Sequence, residues 1–244
     1  MNEFIVIIPS RLSSSRLKEK ALLDLNGKSL IERVYTRAIQ SNASAVYIAT
    51  DSVKIEEHVK RFTSNVILTS KDHKSGTDRV YECASKININ NDMVIVNVQG
   101  DEPFINPKTI NKTADILFNN KNACVGSACT LFKDNDFLDP NNVKVSLSNS
   151  NRALFFSRNV IPNNFTNTDV QYYQHVGIYS YNFKTLSVFV SLPRSSYEIA
   201  ENLEQLRFLE NGYDIYLEEI DELSIGIDTE TDYKKALKIL NDND

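Results

Sequence analysis

Apolar runs and helical periodicities take turns along the first 120 residues. Phe4 to Ile8 is uniformly apolar, the pattern of a strand buried on both faces, and it stops at Pro9. Behind Ser29, which forms a capping box with Glu32, the residues Leu30, Ile31, Val34 and Ala38 recur at helical spacing. Ala45 to Ala49 predicts a second strand ending at Thr50-Asp51. Ile55, Val59 and Phe62 predict the next helix, and Asn65 to Leu68 a third strand. A polar turn around Gly76 precedes a helix marked by Val80, Cys83, Ala84 and Ile87. Met93 to Val98 then reads as a buried strand running into Gly100. Asn106 and Pro107 open a helix whose Ile110, Ala114 and Leu117 face inward.

The pattern changes in the second half. Ala123 to Phe132, Val143 to Leu147, Ala153 to Phe156 and Tyr172 to Tyr181 read as strands with few helices between them. A helix over 198–211 ends at Gly212, a strand follows over Ile215 to Glu219, and Asp228-Thr229 open a last helix carrying Tyr233, Ala236, Leu237 and Leu240. The tail, Asn241 to Asp244, is expected to fray. Alternating strand and helix imply an α/β fold, a Rossmann-like, doubly wound, mostly parallel sheet, here with a β-rich extension in the second half. Without repeats or a linker, residues 1–244 read as one domain with halves 1–120 and 121–244.

Composition narrows the partners. The 244 residues are 41% hydrophobic and 24% charged, as in an ordinary globular protein. A net charge of -5 gives no general attraction to nucleic acid or to anionic membrane, so an anionic ligand must be held by local cations. Cys83, Cys124 and Cys129 lack metal-ligand spacing. Their odd number, the absence of a basic segment before the first strand and the absence of any membrane-length apolar run lead to a cytoplasmic expectation.

Chemistry gathers where predicted strands end, the place where open α/β sheets bind ligands. After the first strand, Ser10 to Lys20 carries Arg11, Arg16, Lys18 and Lys20. Hydroxyls, backbone N–H groups and cations suit a triphosphate, although a solvated basic loop has the same composition and the P-loop glycines are missing. In Asp72 to Arg79, Gly76 permits close approach to a flat ligand, Ser75 can bond a base edge and Arg79 can reach phosphate. The same stretch also reads as a helix N-terminus with Thr77 as its cap, and both readings can hold together. Asp101 and Glu102, after Gly100, form either a site for a hard divalent cation or a polar turn. Asp228 is open to the same two readings, metal ligand or helix cap, with Thr229 and Asp232 as an alternative capping box. Arg158, His175, Tyr179, Glu204 and Gln205 form a further polar group. Glu201, Glu204, Gln205 and Phe208 would share one helix face, which could simply be solvated, and His175 could be a satisfied core histidine. No Cys/His cluster has zinc spacing, and no nucleophile elbow is present.

In order, these motifs resemble the 3-deoxy-manno-octulosonate (Kdo) cytidylyltransferases, or CMP-Kdo synthetases. The resemblance runs from Phe4 to about Leu237. It is carried by Ile7-Ile8-Pro9-Ser10-Arg11, Ser15-Arg16-Leu17, Ala49-Thr50-Asp51, Asp72 to Arg79 and Val98-Gln99-Gly100-Asp101-Glu102-Pro103. Pro140 to Val145, Phe156-Ser157-Arg158, His175 to Tyr179, Leu203-Glu204-Gln205-Leu206-Arg207 and Gly226-Ile227-Asp228-Thr229 continue it. It implies that CTP and Kdo give CMP-Kdo and pyrophosphate, for lipopolysaccharide or capsule, with Mg²⁺ on Asp101 and Asp228. By the same resemblance Arg11, Arg16 and Lys20 hold the triphosphate, and Lys20 joins the two aspartates as a catalytic residue. Ser10, Ser75 and Arg79 read cytosine and ribose. Gln99, Arg158, His175, Tyr179, Glu204 and Gln205 hold the sugar, with Arg158 on its carboxylate. A homodimer through the second half is also implied, with the first half binding nucleotide. Family members usually carry Leu-Pro-Gly-Lys-Pro where this chain has Leu17-Lys18-Glu19-Lys20-Ala21, which predicts a loop more flexible when empty. The same chemistry on a related sugar such as 8-amino-Kdo, or a non-catalytic nucleotide-binding protein, are the alternatives.

Overall fold

The computed structural model describes residues 2–14, 16–133, 135–221 and 223–242. Strand β1 (Phe4–Ser10) is followed by a small hairpin, β2 (Asp24–Leu25) and β3 (Lys28–Ser29), and then by α1 (Leu30–Ala38), β4 (Ala45–Thr50) and α2 (Val53–Val59). Next come β5 (Val66–Leu68), α3 (Gly76–Lys86), β6 (Val94–Asn97) and α4 (Pro107–Asn119). The second half contains β7 (Val125–Leu131), β8 (Lys144–Leu147), β9 (Ala153–Ser157), β10 (Tyr173–Asn182), α5 (Phe183–Ser191), α6 (Ser196–Glu201), α7 (Gln205–Glu210), β11 (Ile215–Glu219) and α8 (Glu230–Asp242).

The main sheet runs β11-β7-β10-β6-β1-β4-β5, with β8 attached to β10 and β9 to β8. Neighbours among β6, β1, β4 and β5 are parallel, as are β7 and β11. Strand β10 runs antiparallel between β6 and β7. The expected mostly parallel, doubly wound sheet is therefore present. Its antiparallel part is built into the same sheet and also extends it.

Alternation along β1 explains the two layers. Phe4, Val6 and Ile8 pack on Ile31 and Val34 of α1, Ile55 and Val59 of α2 and Ile110 and Ala114 of α4. Ile5 and Ile7 point the other way, toward Val80, Cys83 and Ala84 of α3, Leu186 and Phe189 of α5 and Leu206 and Phe208 of α7. With both faces covered, a central strand has to be apolar throughout, which is why its sequence shows no polar alternation.

This winding creates the cleft. After β1 the chain turns toward β4, whereas after β6 it turns toward β7, so the loops leaving β1 and β6 part at a topological switch point. They are tightly packed there: a Cβ on Gly100 would lie 2.6 Å from the carbonyl oxygen of Pro9. Gly100→Ala must push these backbones apart at a cost of about 2 kcal/mol. The expected drop in melting midpoint is about 6 °C, with loss of turnover, and calorimetry plus an activity assay would check both.

Four elements differ from the sequence expectation. Asn26 and Gly27, at φ 52° and 76°, turn the β2–β3 hairpin, in a stretch to which the sequence pattern assigns no element. Helix α5 occupies a stretch rich in β-branched and aromatic residues, because burial of Leu186 and Phe189 outweighs their local preference. The expected helix 198–211 is two helices, since Asn202 takes a left-handed conformation at φ 53°. Of the three helices between β10 and β11, only α5 stands where no helix was expected. Helix α3 is capped by Ser75 and not by Thr77. Asn241 and Asp242 continue α8, while Asn243 and Asp244 lie outside the described residues.

Candidate active site

The loop after β1, the N-terminal end of α3, the turn after β6 and residues 226–228 enclose a cavity of about 430 Å³. Ser10, Arg11, Arg16 and Lys20 line it, with Gln99, Asp101 and Asp228. Ser15 lies outside the described residues. Two apolar anchors hold the loops that line the cavity. Leu17, in the basic loop, and Ile227 share one buried cluster with Leu25, Leu30 and Ala236. Burying each of these two side chains stabilises its segment by about 2 kcal/mol. That exceeds the exposed Arg16–Asp228 ion pair at 3.2 Å, a type worth up to about 1 kcal/mol.

Asp101 and Asp228 are 127 positions apart in sequence, yet they share one cation: Lys20 Nζ donates to Asp101 Oδ2 at 2.8 Å and to Asp228 Oδ1 at 2.7 Å. The backbone arranges this, because Ile227 N donates to Asp101 O at 2.9 Å. Helix capping does not use Asp228. Thr229 N donates to Asp232 Oδ2 at 2.9 Å and Asp232 N donates back to Thr229 Oγ1 at 3.2 Å, so that pair forms the box. Burial works against the charge of Lys20, but the two carboxylates more than offset it and hold its pKa above the usual lysine value.

The same two carboxylates fit a divalent metal. Their oxygens already converge on one cation, and hard oxygen donors suit Mg²⁺. Among the described residues no cluster of three or more His, Cys, Asp or Glu could enclose a metal. Two carboxylates with substrate phosphates and water would complete such a site, the usual Mg²⁺ arrangement. Glu102 does not line the cavity; burial and then the charge of Asp101 push its carboxyl up to about 8.

A second cavity, of about 260 Å³, shares Gly76, Gln99 and Glu204 with the first. Tyr179 and Tyr181 from β10, Asn97 from β6 and Gln205 from α7 line it. A register shift between Val176 and Tyr179 in β10 lies beside it, as bulges often do at sites. Glu204 accepts a 2.8 Å hydrogen bond from Thr77 Oγ1, and burial raises its carboxyl pKa. Gln205 Nε2 is buried with no hydrogen-bond partner among the described residues. An orphaned donor on a polar wall suits a polyhydroxylated ligand. Asn97 and Tyr181 are lining residues that the motifs missed, and Thr77, read from its motif only as a helix cap, is a third. The available signals were a polar residue inside an apolar strand and the alternation that puts residues 177, 179 and 181 on one face.

Other expected site residues have their polar groups engaged by the protein itself. Ser75 Oγ caps α3 by accepting from Asp78 N at 3.1 Å. Arg79 lines the first cavity, but its guanidinium is held by Asp51 at 3.0 Å and Thr69 Oγ1 at 2.6 Å. Arg158 Nε donates to Glu201 O at 2.8 Å and its Nη1 to Pro140 O at 3.1 Å, so it ties loops together and lines neither cavity. The reason is local: Arg158 follows β9 directly, against the C-terminal end of α6, and the exposed backbone carbonyls take its donors.

His175 is partly buried behind Tyr179, with ring centroids 5.5 Å apart, and its Nε2 lies 3.0 Å from Ser127 Oγ. Burial depresses its pKa from 6.5 to about 3, so the ring is neutral at physiological pH. Its value falls on folding, so protonation favours the unfolded chain. That stability is present above pH 6.5 and is lost as pH falls toward 3. Between pH 6.5 and 4 this one group should remove about 3 kcal/mol. Urea melts at both pH values should show that loss, and His175→Asn should reduce it; an unchanged pH dependence in the variant would contradict the assignment.

Comparison with known proteins places this geometry. A sequence model of the cytidylyltransferases matches residues 5–220. The chain is 43% identical to a 3-deoxy-manno-octulosonate cytidylyltransferase of Parabacteroides distasonis, over 98% of this chain and 99% of that protein. It is 40% identical to the protein of the same name from Francisella tularensis, over 97% and 98% of the two chains. The solved structure of CMP:2-keto-3-deoxy-manno-octonic acid synthetase complexed with CTP superimposes with a TM-score of 0.94 at 35% identity, covering 99% of each chain. With a family match over most of its length and relatives well above 30% identity, the chain belongs to the 3-deoxy-manno-octulosonate cytidylyltransferases.

Proposed function

We propose that this protein transfers CMP from CTP to Kdo, giving CMP-Kdo and pyrophosphate for lipopolysaccharide or capsule synthesis. The observation that carries the reading is the pair of adjoining cavities, one lined by cations and carboxylates, the other by amide, phenol and carboxyl groups. Such walls suit a triphosphate beside a polyol. In the reaction the sugar's anomeric 2-oxygen bonds to the α-phosphorus as the bond from that phosphorus to pyrophosphate breaks. Catalysis of this kind rests on positioning and charge neutralisation.

Arg11, Arg16 and Lys20 would hold the triphosphate. Ser10 would contribute to the nucleotide wall, while Ser75 and Arg79 would shape it from the N-terminal end of α3. Gln99, Tyr179, Glu204 and Gln205 would bind the sugar hydroxyls. His175 would set the ring of Tyr179, and Arg158 would act through the loops it joins. Asp101 and Asp228 would hold Mg²⁺, which when bound neutralises phosphate charge and acidifies the attacking hydroxyl. Residues 1–244 would act as one domain whose halves divide the substrates only loosely, since Asp228 lines the first cavity and Asn97 the second.

A cytoplasmic homodimer is the corresponding assembly. Among the described residues no helix is long and apolar enough to cross a membrane. Leu154 of β9 and Ile199 of α6 are 53% and 59% exposed, and the Phe155–Tyr197 ring contact joins their elements. Light scattering of the purified protein would test the dimer.

The reaction itself is tested by pyrophosphate release from CTP with a panel of 3-deoxy-ulosonic acids, including the 8-amino analogue of Kdo. Release is expected with Kdo only when CTP, sugar and Mg²⁺ are all present. Binding of CTP without release on any acidic sugar would refute the proposal.

A further inference from the structure

Glu19 sits in the left-handed region, at φ 52° and ψ 37°. Glycine adopts this conformation freely, but the Cβ of glutamate crowds its own carbonyl there. The strain falls at a sensitive place. Leu22 N donates to Glu19 O at 2.8 Å, closing the tight turn that begins at Lys20. Lys20 is the residue whose Nζ reaches both Asp101 and Asp228. A change of conformation at Glu19 would therefore redirect Lys20.

One long-range contact holds Glu19 in place. Its Oε2 accepts from Lys54 Nζ at 2.5 Å, across 35 positions of sequence. Lys54 lies in the first turn of α2, whose Ile55 and Val59 are fully buried, so the anchor point is rigid. Glu19 and Lys54 also line an open groove of about 1010 Å³ together with Arg11, Lys18 and Lys71. Among these basic side chains the carboxylate of Glu19 keeps Lys54 directed at the loop.

We propose that the Glu19–Lys54 ion pair is a latch that positions Lys20: it ties the nucleotide loop to α2 and holds a backbone conformation that glycine would reach unaided. Glu19 and Lys54 are positioning residues and touch no reacting atom. The kinetic part of the inference rests on the reading of Lys20 as a triphosphate-binding cation. Loop order, measured without substrate, does not.

Five variants of the full-length protein test it, each read by steady-state kinetics and by mass-mapped trypsin cleavage after Lys18. Lys54→Met should raise KM for CTP about threefold, the range of an exposed ion pair, with kcat within about twofold, and should speed cleavage. The exchange Glu19→Lys with Lys54→Glu should return KM toward the parent value. In a Glu19→Gly background, Lys54→Met should change neither KM nor cleavage. Parental KM and cleavage in Lys54→Met would overturn the latch. An equal rise of KM in the glycine background would also overturn it, by making Lys54 a direct nucleotide contact. Faster cleavage with unchanged kinetics would leave the pair without a role in positioning. Parental kinetics in Lys20→Met would instead remove the assignment of Lys20 and leave the cleavage result standing.

Discussion

Asp101→Ala and Asp228→Ala are each expected to reduce turnover at least about a thousandfold while the protein stays folded. The size follows from the chemistry: phosphoryl charge must be neutralised as pyrophosphate leaves, and removing one preorganised group at such a centre costs about 10²–10³ in kcat. Loss of a ligand from the proposed Mg²⁺ site would add to that. Folding should tolerate both changes. The side chains are 31% and 47% exposed, and Lys20 keeps one carboxylate partner when either is removed. The two loops keep their apolar anchors, Leu17 and Ile227, and the Ile227 N to Asp101 O hydrogen bond uses only backbone. Turnover, melting temperature and Mn²⁺ binding in the presence of CTP would be measured together. Parental activity in either variant would remove that residue from the metal site, and loss of activity with unchanged Mn²⁺ binding would do the same.

Asp101 could be found from sequence because a strand and a glycine turn announce it; Asp228 could not be joined to it on the same grounds. Their meeting depends on how residues 226–228 return to the turn after β6, a contact formed across 127 positions by the Ile227 backbone. The doubly wound half was legible for a simple reason. Strands covered on both faces must be apolar, and their helices must show one apolar stripe. Helix α5 was not legible, since its local composition favours strand and only packing against α3 and α7 decides otherwise. Arg158 and His175 show the opposite failure. Both are residue types suited to holding a sugar acid, yet one spends its donors on backbone carbonyls and the other is bonded to Ser127. Composition identifies what a side chain can do, whereas the available partners decide what it does. Glu19 is a further case: the departure from Pro-Gly suggested only a looser loop, and the tie to Lys54 emerges once α2 is placed beside it.

Lys20→Met should reduce turnover by about a hundredfold or more and, with the opposite sign, tighten binding of Mn²⁺ or Mg²⁺ to the nucleotide-free protein. Both effects come from one ammonium group. Lys20 Nζ lies within 2.8 Å of oxygens on Asp101 and Asp228, so a cation shared by those two carboxylates would have to displace it. Raising the pH within the physiological range cannot relieve this competition, because the two carboxylates hold the lysine pKa above its ordinary 10.5. A bound triphosphate would change the balance by giving the ammonium a new partner in the same cavity, leaving the two aspartates free to hold a metal. Methionine keeps the length and the apolar stem but removes the competitor, and it leaves two carboxylates facing each other without a counter-charge. Metal affinity without CTP should then rise about tenfold, equivalent to about 1.4 kcal/mol. With CTP present the variant should bind nucleotide more weakly, because one of the three cations proposed to hold the triphosphate is gone. Calorimetric titration of the metal with and without CTP, alongside turnover, separates the roles. Metal binding no tighter than in the parent would refute the competition, whereas parental turnover would refute the role of Lys20 on the triphosphate.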